Sequence, residues 1–156
     1  MKYLFALSFF IFTSCINNNE TSKNTFKSTD SNEIESIKKM LTDQQKCWNN
    51  GDIDGFMEGY WNSEELIFTS AKHMPAYGWQ NTLERYKNSY PTKESMGELK
   101  FEFLNVKINS DSTTAQLKGC WELIRKEDNP KGEFWLDLKK FDDNWLIIKD
   151  STTSLY

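Results

Sequence analysis

Glu98-Leu99-Lys100-Phe101-Glu102-Phe103-Leu104-Asn105-Val106-Lys107-Ile108 alternates apolar with polar residues, and the alternation changes phase midway. Leu99, Phe101 and Phe103 share one parity, whereas Leu104, Val106 and Ile108 share the other. A period of two marks a strand with one buried face. A slip of one residue exchanges the faces, so the phase change predicts a β-bulge near Phe103-Leu104 and a bend in the sheet. The same period continues over about 113–126, 132–142 and 144–152. Asp111-Ser112, Asp128-Asn129-Pro130-Lys131-Gly132 and Asp142-Asp143-Asn144 supply turns between these segments. The four read as an antiparallel meander.

Upstream, the period lengthens. Asp30-Ser31-Asn32-Glu33 offers a cap with Glu three positions on, and Ile34, Ile37, Leu41 and Trp48 then recur on one helical face. Gln44 falls on that face, and Asn49-Asn50-Gly51 stops the helix. Asp52 caps a short second helix carrying Ile53, Phe56 and Met57. Leu66-Ile67-Phe68-Thr69 reads as a short strand. Trp79, Leu83, Tyr86 and Tyr90 have the spacing of a third helix, which Pro91 ends.

The first residues follow a different logic. Met1-Lys2 precedes the apolar run 3–12, far short of the roughly 20 residues that span a bilayer, so the run reads as a signal segment. Phe12-Thr13-Ser14-Cys15 resembles a bacterial lipobox, with Phe12 in place of the usual Leu, and makes Cys15 the candidate lipidation site. Residues 1–14 are expected to be a signal peptide and 15–30 a polar, flexible tether behind the lipidated cysteine. One domain, residues 31–156, follows. The expected location is the cell envelope, held by lipid alone; secretion or a free periplasmic form is the alternative.

Composition narrows the partners. The 156 residues carry 19 Lys and Arg against 23 Asp and Glu, a net charge of −4, with the lysines scattered among acids. That leaves no basic stripe for nucleic acid and no attraction to anionic lipid. Aromatic residues make up 15% of the chain, a large rigid payload to be packed or displayed. With Cys15 lipidated, Cys47 and Cys120 remain; free core thiols are preferred to a bridge, which needs Cα atoms within about 7 Å. A single histidine and the cysteine spacing give no metal motif. No nucleotide-binding glycine loop, Rossmann fingerprint or nucleophile elbow occurs, and no cofactor is expected.

The order of three helices, a short strand between the second and third, and a long bent meander resembles the nuclear transport factor 2-like (SnoaL-like, ketosteroid-isomerase-like) superfamily. Within it the chain is similar to a subgroup of small bacterial envelope proteins with a domain of unknown function. The resemblance lies in Trp48-Asn49-Asn50-Gly51-Asp52, Phe56-Met57-Glu58-Gly59-Tyr60-Trp61, Tyr77-Gly78-Trp79 with Tyr86 and Tyr90-Pro91, Gly119-Cys120-Trp121 and Asn144-Trp145-Leu146-Ile147, spread over residues 34 to 153. It implies an α+β cone-shaped roll, with three N-terminal helices packed on a curved, mainly antiparallel sheet of four to five strands. It also implies a homodimer formed through the open sheet face. Relatives often carry histidines where this chain has Glu133 and Ser151, so chemistry resting on those histidines does not transfer.

Gln44, Trp48, Tyr60, Trp79, Tyr86 and Trp121 are the residues this fold would gather in its hollow, either around a small apolar or aromatic molecule or as plain core. Ketosteroid isomerase-type members use aspartates in an apolar cavity, which makes Asp137 and Asp150 the catalytic candidates. Asp137 lies in the strand where the resemblance would place the protonated acid. Matching apolar faces across the meander, however, sets it with Lys118, Glu122 and Lys139 on the polar side. A three-residue turn at Asp142-Asp143-Asn144 would put Asp150 on the Leu136 face, toward the core. His73 is a third candidate, either a lone base at a pocket mouth or a solvated loop residue. Three functions remain open: a ligand-binding envelope lipoprotein; a small isomerase, lyase or hydrolase using a buried Asp; and an interaction module with a filled core.

Overall fold

The computed structural model describes residues 19–71 and 73–155. Cys15 and the signal segment lie outside them. The elements run α1 (Asn19–Asn49), α2 (Ile53–Met57), β1 (Ile67–Ser70), β2 (His73–Tyr77), α3 (Trp79–Ser89), α4 (Lys93–Met96), β3 (Glu98–Ile108), β4 (Thr114–Ile124), β5 (Lys131–Phe141) and β6 (Asn144–Thr152). The strands form one sheet in the order β2-β1-β6-β5-β4-β3, antiparallel throughout except where β1 runs parallel to β6. Among the described residues no helix is long and apolar enough to cross a membrane.

The α+β roll is as expected, with three corrections. First, α1 is helical from Asn19, inside the stretch expected to be a flexible tether. No Pro or Gly interrupts 19–49, so nothing local stops the helix at Ser31. Glu33 is consequently not a cap; its carboxylate accepts from Lys140 Nζ at 2.8 Å and from Trp145 Nε1 at 2.6 Å, tying α1 to the far end of the sheet. Second, the sheet has six strands, because Ser70 pairs with His73 and the segment expected to be a loop becomes β2. Pro75 is tolerated there because β2 is an edge strand. Third, Thr92 and Ser95 form a capping box around the one-turn α4, which hydrophobic periodicity could not reveal.

The bulge falls where the phase change placed it: Phe103 pairs with Gly119 and Asn105 with Lys118, leaving Leu104 extra and exposed. Gly119 is required by close approach, since a Cβ there would meet the Phe134 ring and the Glu102 carbonyl. The other edge strand, β3, is covered by α1. Gln45 Oε1 accepts from Phe101 N at 2.7 Å, and Asn49 takes Leu99 N (2.7 Å) and Leu99 O (3.1 Å), so these edge backbone groups are paired. Ile37, Leu41 and Trp48 of α1 complete a core with Leu117, Leu138 and Ile147 of the concave sheet face. Cys47 and Cys120 are free and half-buried rather than fully buried.

Candidate functional site

The turn between β5 and β6 decides which side of β6 faces inward. Phe141 pairs with Asn144, so the turn has two residues, with Asp142 in the left-handed region at φ 52°, rather than the expected three. The register is restored by a bulge at Ile148: Leu138 pairs with Ile147 but Asp137 pairs with Lys149, and Leu136 therefore faces Asp150. The expected placement of Asp150 holds, by a different route. Its parallel neighbour in β1 is Phe68. Flanked by two buried apolar residues, Asp150 is 6% exposed. Burial pushes its carboxyl from the ordinary 3.8 up to about 7, against the lowering effect of a hydrogen bond from Tyr60.

Tyr60 is set by backbone. Ile147 N donates to Gly59 O and Trp61 N donates to Ile147 O, both at 2.9 Å, so Tyr60 lies against β6 as a parallel bridge. From there its hydroxyl donates to Asp150 Oδ2 at 2.7 Å and sits 3.2 Å from the hydroxyl of Tyr86 on α3. With the single Tyr60 proton committed to Asp150, Tyr86 donates to Tyr60, and a relay Tyr86–Tyr60–Asp150 results. Burial first, and the Asp150 charge second, hold both phenols well above their usual range. Asp150 Oδ1 is buried and has no partner among the described residues.

These groups wall a cavity of about 120 Å³, whose other lining includes Phe56, Phe68, Tyr90, Phe101, Phe134 and Thr152. Gln44, Trp48 and Trp121 line it as well. Their polar atoms are committed to carbonyls: Gln44 Nε2 to Phe56 O at 2.7 Å, Trp48 Nε1 to Met96 O at 3.1 Å, and Trp121 Nε1 to Thr153 O at 3.1 Å. The rings pack edge to face, as Trp48 does on Phe56 and Tyr90. An adjoining outer vestibule of about 320 Å³ shares Phe68, Tyr86, Tyr90, Trp121 and Thr152 with the cavity wall.

Of the expected pocket residues, Trp79 alone is not in the wall. It donates to Met57 O at 3.0 Å and pins α3 to the end of α2. Asp137 lies on the convex face, accepting from Gln116 Nε2 at 3.1 Å. Glu133 and Ser151 share that face, since Phe134 beside Glu133, and Asp150 and Thr152 on either side of Ser151, line the cavity. His73 is exposed on β2 at the vestibule rim. Phe56, Phe68, Phe101 and Phe134 were not separable from ordinary core in the sequence, because a pocket wall and a packed interior use the same residue types. Tyr90, which caps the end of α3, was legible only as the last apolar position of the expected third helix.

No family model matches the chain, and no curated protein does. Among solved structures, a nuclear transport factor 2-like protein of unknown function from Shewanella oneidensis MR-1 shares 40% identity. The match covers 78% of this chain and 98% of that one, with a TM-score of 0.73. A ketosteroid isomerase-like protein from Erwinia carotovora atroseptica SCRI1043 matches at 15% identity, covering 80% and 97% of the two chains with a TM-score of 0.66. A nuclear transport factor 2-like protein of unknown function from Pseudomonas putida KT2440 matches at 12%, covering 76% and 84%, with a TM-score of 0.60. The last two likenesses concern the fold alone. Helices packed on a curved, mainly antiparallel sheet define the class of fold. The chain belongs to the nuclear transport factor 2-like family.

Proposed function

We propose that this chain is a lipid-tethered envelope protein that binds one small, compact, largely apolar molecule in its cavity. The molecule would present a single polar group to Asp150. One observation carries the reading: Asp150 lines an apolar hollow, and its Oδ1 is buried with no partner among the described residues. Native proteins rarely leave such an atom unsatisfied, so a ligand group or water is its natural complement. Size limits the ligand. An engineered cavity of about 150 Å³ holds benzene, so about 120 Å³ takes a single ring, and anything longer must extend into the vestibule. A filled-core interaction module accords poorly with such a hollow. Native mass spectrometry of the protein purified from its own envelope tests the reading. A retained small molecule that is lost in Asp150→Asn supports it; an empty protein whose Trp48 and Trp121 fluorescence ignores ring ketones and phenols refutes it.

A second reading rests on the Asp150 pKa of about 7, which lets the group take or give a proton near neutrality. The protein would then be a small enzyme of the isomerase, lyase or hydrolase kind; the ketosteroid isomerase-like neighbour is in keeping with that chemistry. Deuterium exchange of α-protons in a bound ketone, followed by NMR, separates catalysis from binding. Attachment through Cys15 predicts incorporation of an alkyne fatty acid that Cys15→Ser abolishes. A homodimer through the convex face, where Trp135 is 41% exposed, predicts a dimer mass in sedimentation that Trp135→Glu halves.

A further inference from the structure

The vestibule differs chemically from the hollow behind it. Arg85 and Ser70 line only the vestibule, and Asp150 lines only the hollow. Arg85 lies over the Phe68 ring at 5.5 Å and donates through Nη2 to Met74 O at 2.6 Å. Its Nη1 and the Ser70 hydroxyl are both buried and have no partner among the described residues. Each is a donor without an acceptor, and both residues line the vestibule. Among the described residues no carboxylate lines the vestibule. The second cation there, Arg125, is already held by Asp128 through Nε and Nη2, both at 2.6 Å, and by Ser95 O through Nη1 at 3.1 Å. His73 stands exposed on the rim.

We infer that the vestibule is an anion site built on Arg85 Nη1 and Ser70 Oγ, and that the ligand is a compact aromatic or alicyclic monocarboxylate. Its carboxylate sits on Arg85 and Ser70 while its ring passes between Tyr86, Tyr90 and Trp121 into the hollow. One free guanidinium edge and one hydroxyl match a singly charged carboxylate; a phosphate dianion would need more uncommitted cation than Arg85 offers. This polarity also keeps the ligand's charge in the vestibule and presents its neutral end to Asp150, which avoids two carboxylates meeting in the apolar hollow.

The inference rests on the cavity-binding reading, and the test separates the two. The purified protein is titrated with phenylacetate and with its neutral analogue 2-phenylethanol, followed by tryptophan fluorescence and calorimetry. Phenylacetate is expected to bind at least tenfold more tightly. Arg85→Gln should reduce the acid to the affinity of the alcohol while leaving the alcohol unchanged, which also shows that the variant is folded. Ser70→Ala should weaken the acid several-fold, again without effect on the alcohol. Equal binding of acid and alcohol, or an acid preference that survives Arg85→Gln, overturns the anion site but leaves the cavity reading standing. Binding of neither probe overturns both.

Discussion

Replacing Asp150 with asparagine is expected to stabilise the protein at pH 8 and to do almost nothing at pH 4. The folded carboxyl titrates at about 7 and the ordinary value is 3.8. Below pH 4 the group is protonated in both states and costs nothing electrostatically. Between pH 4 and 7 the unfolded chain ionises while the fold keeps its proton, so stability falls as pH rises; above 7 the deficit is constant. At roughly 1.4 kcal/mol per decade, the gap corresponds to a deficit on the order of 4 kcal/mol. Asparagine retains an acceptor for the Tyr60 hydroxyl and places an N–H where Oδ1 stands, much as the protonated acid places an O–H. The variant should therefore match the parent at pH 4 and exceed it by about 2–4 kcal/mol at pH 8, a rise of roughly 1–2 M in the urea midpoint. Urea unfolding at both pH values, read by tryptophan fluorescence, measures this, and the parent–variant difference isolates Asp150 from other titrating groups. A difference that does not change with pH, or a variant weaker at pH 8, refutes the buried-acid description.

Tyr60→Phe removes the hydrogen bond that lowers the Asp150 pKa, so the carboxyl carbon of Asp150 should titrate above the parent's value of about 7 in an NMR pH series. Glu33→Gln should cost about 1–3 kcal/mol at pH 7 by weakening its bonds to Lys140 and Trp145. Lys140 holds the Glu33 carboxyl below its usual range, so that stabilisation is present above the unfolded pKa and fades as pH falls through the folded one; urea midpoints of the two proteins should converge in acid. Gly132→Ala should destabilise by about 2 kcal/mol or more in thermal unfolding, because its Cβ would collide with the Thr153 carbonyl and the Trp121 indole, which together shape the vestibule.

The fold was legible where a residue's local sequence also carried the tertiary signal. The phase change at Phe103-Leu104 gave the bulge, and Asp52 and Gly51 gave the break between α1 and α2, because each is a short-range consequence of backbone geometry. The start of α1 was not legible: a polar stretch without Pro or Gly reads as readily as spacer or as helix, and the bond from Glu33 to β5 and β6 spans more than a hundred residues. Strand β2 was missed because Pro75 argues against a strand until its edge position is known. In the site, Asp150 was assigned to the correct face from a turn that is one residue shorter than expected, and the bulge at Ile148 made up the difference. Alternation fixes relative faces within a strand, but bulges between strands are invisible to it. Trp79 failed for a similar reason, since helical spacing placed it on the α3 stripe without showing that the end of α2 intercepts its indole.

The proposed ligand site accounts for a conjunction of costs that a packing defect does not. An apolar gap could be closed by larger side chains at Phe56, Leu136 or Thr152, and a buried acid at 150 could be an asparagine that leaves Tyr60 bonded and spares the fold its loss of stability above pH 4. The chain does neither. It sets the acid on the sheet between Phe68 and Leu136, uses the backbone bridge at Tyr60 to satisfy one carboxylate oxygen, and leaves the other buried without a partner among the described residues. A framework with no use for that oxygen gains from neither the cavity nor the charge; a framework that receives a ligand there recovers both on binding.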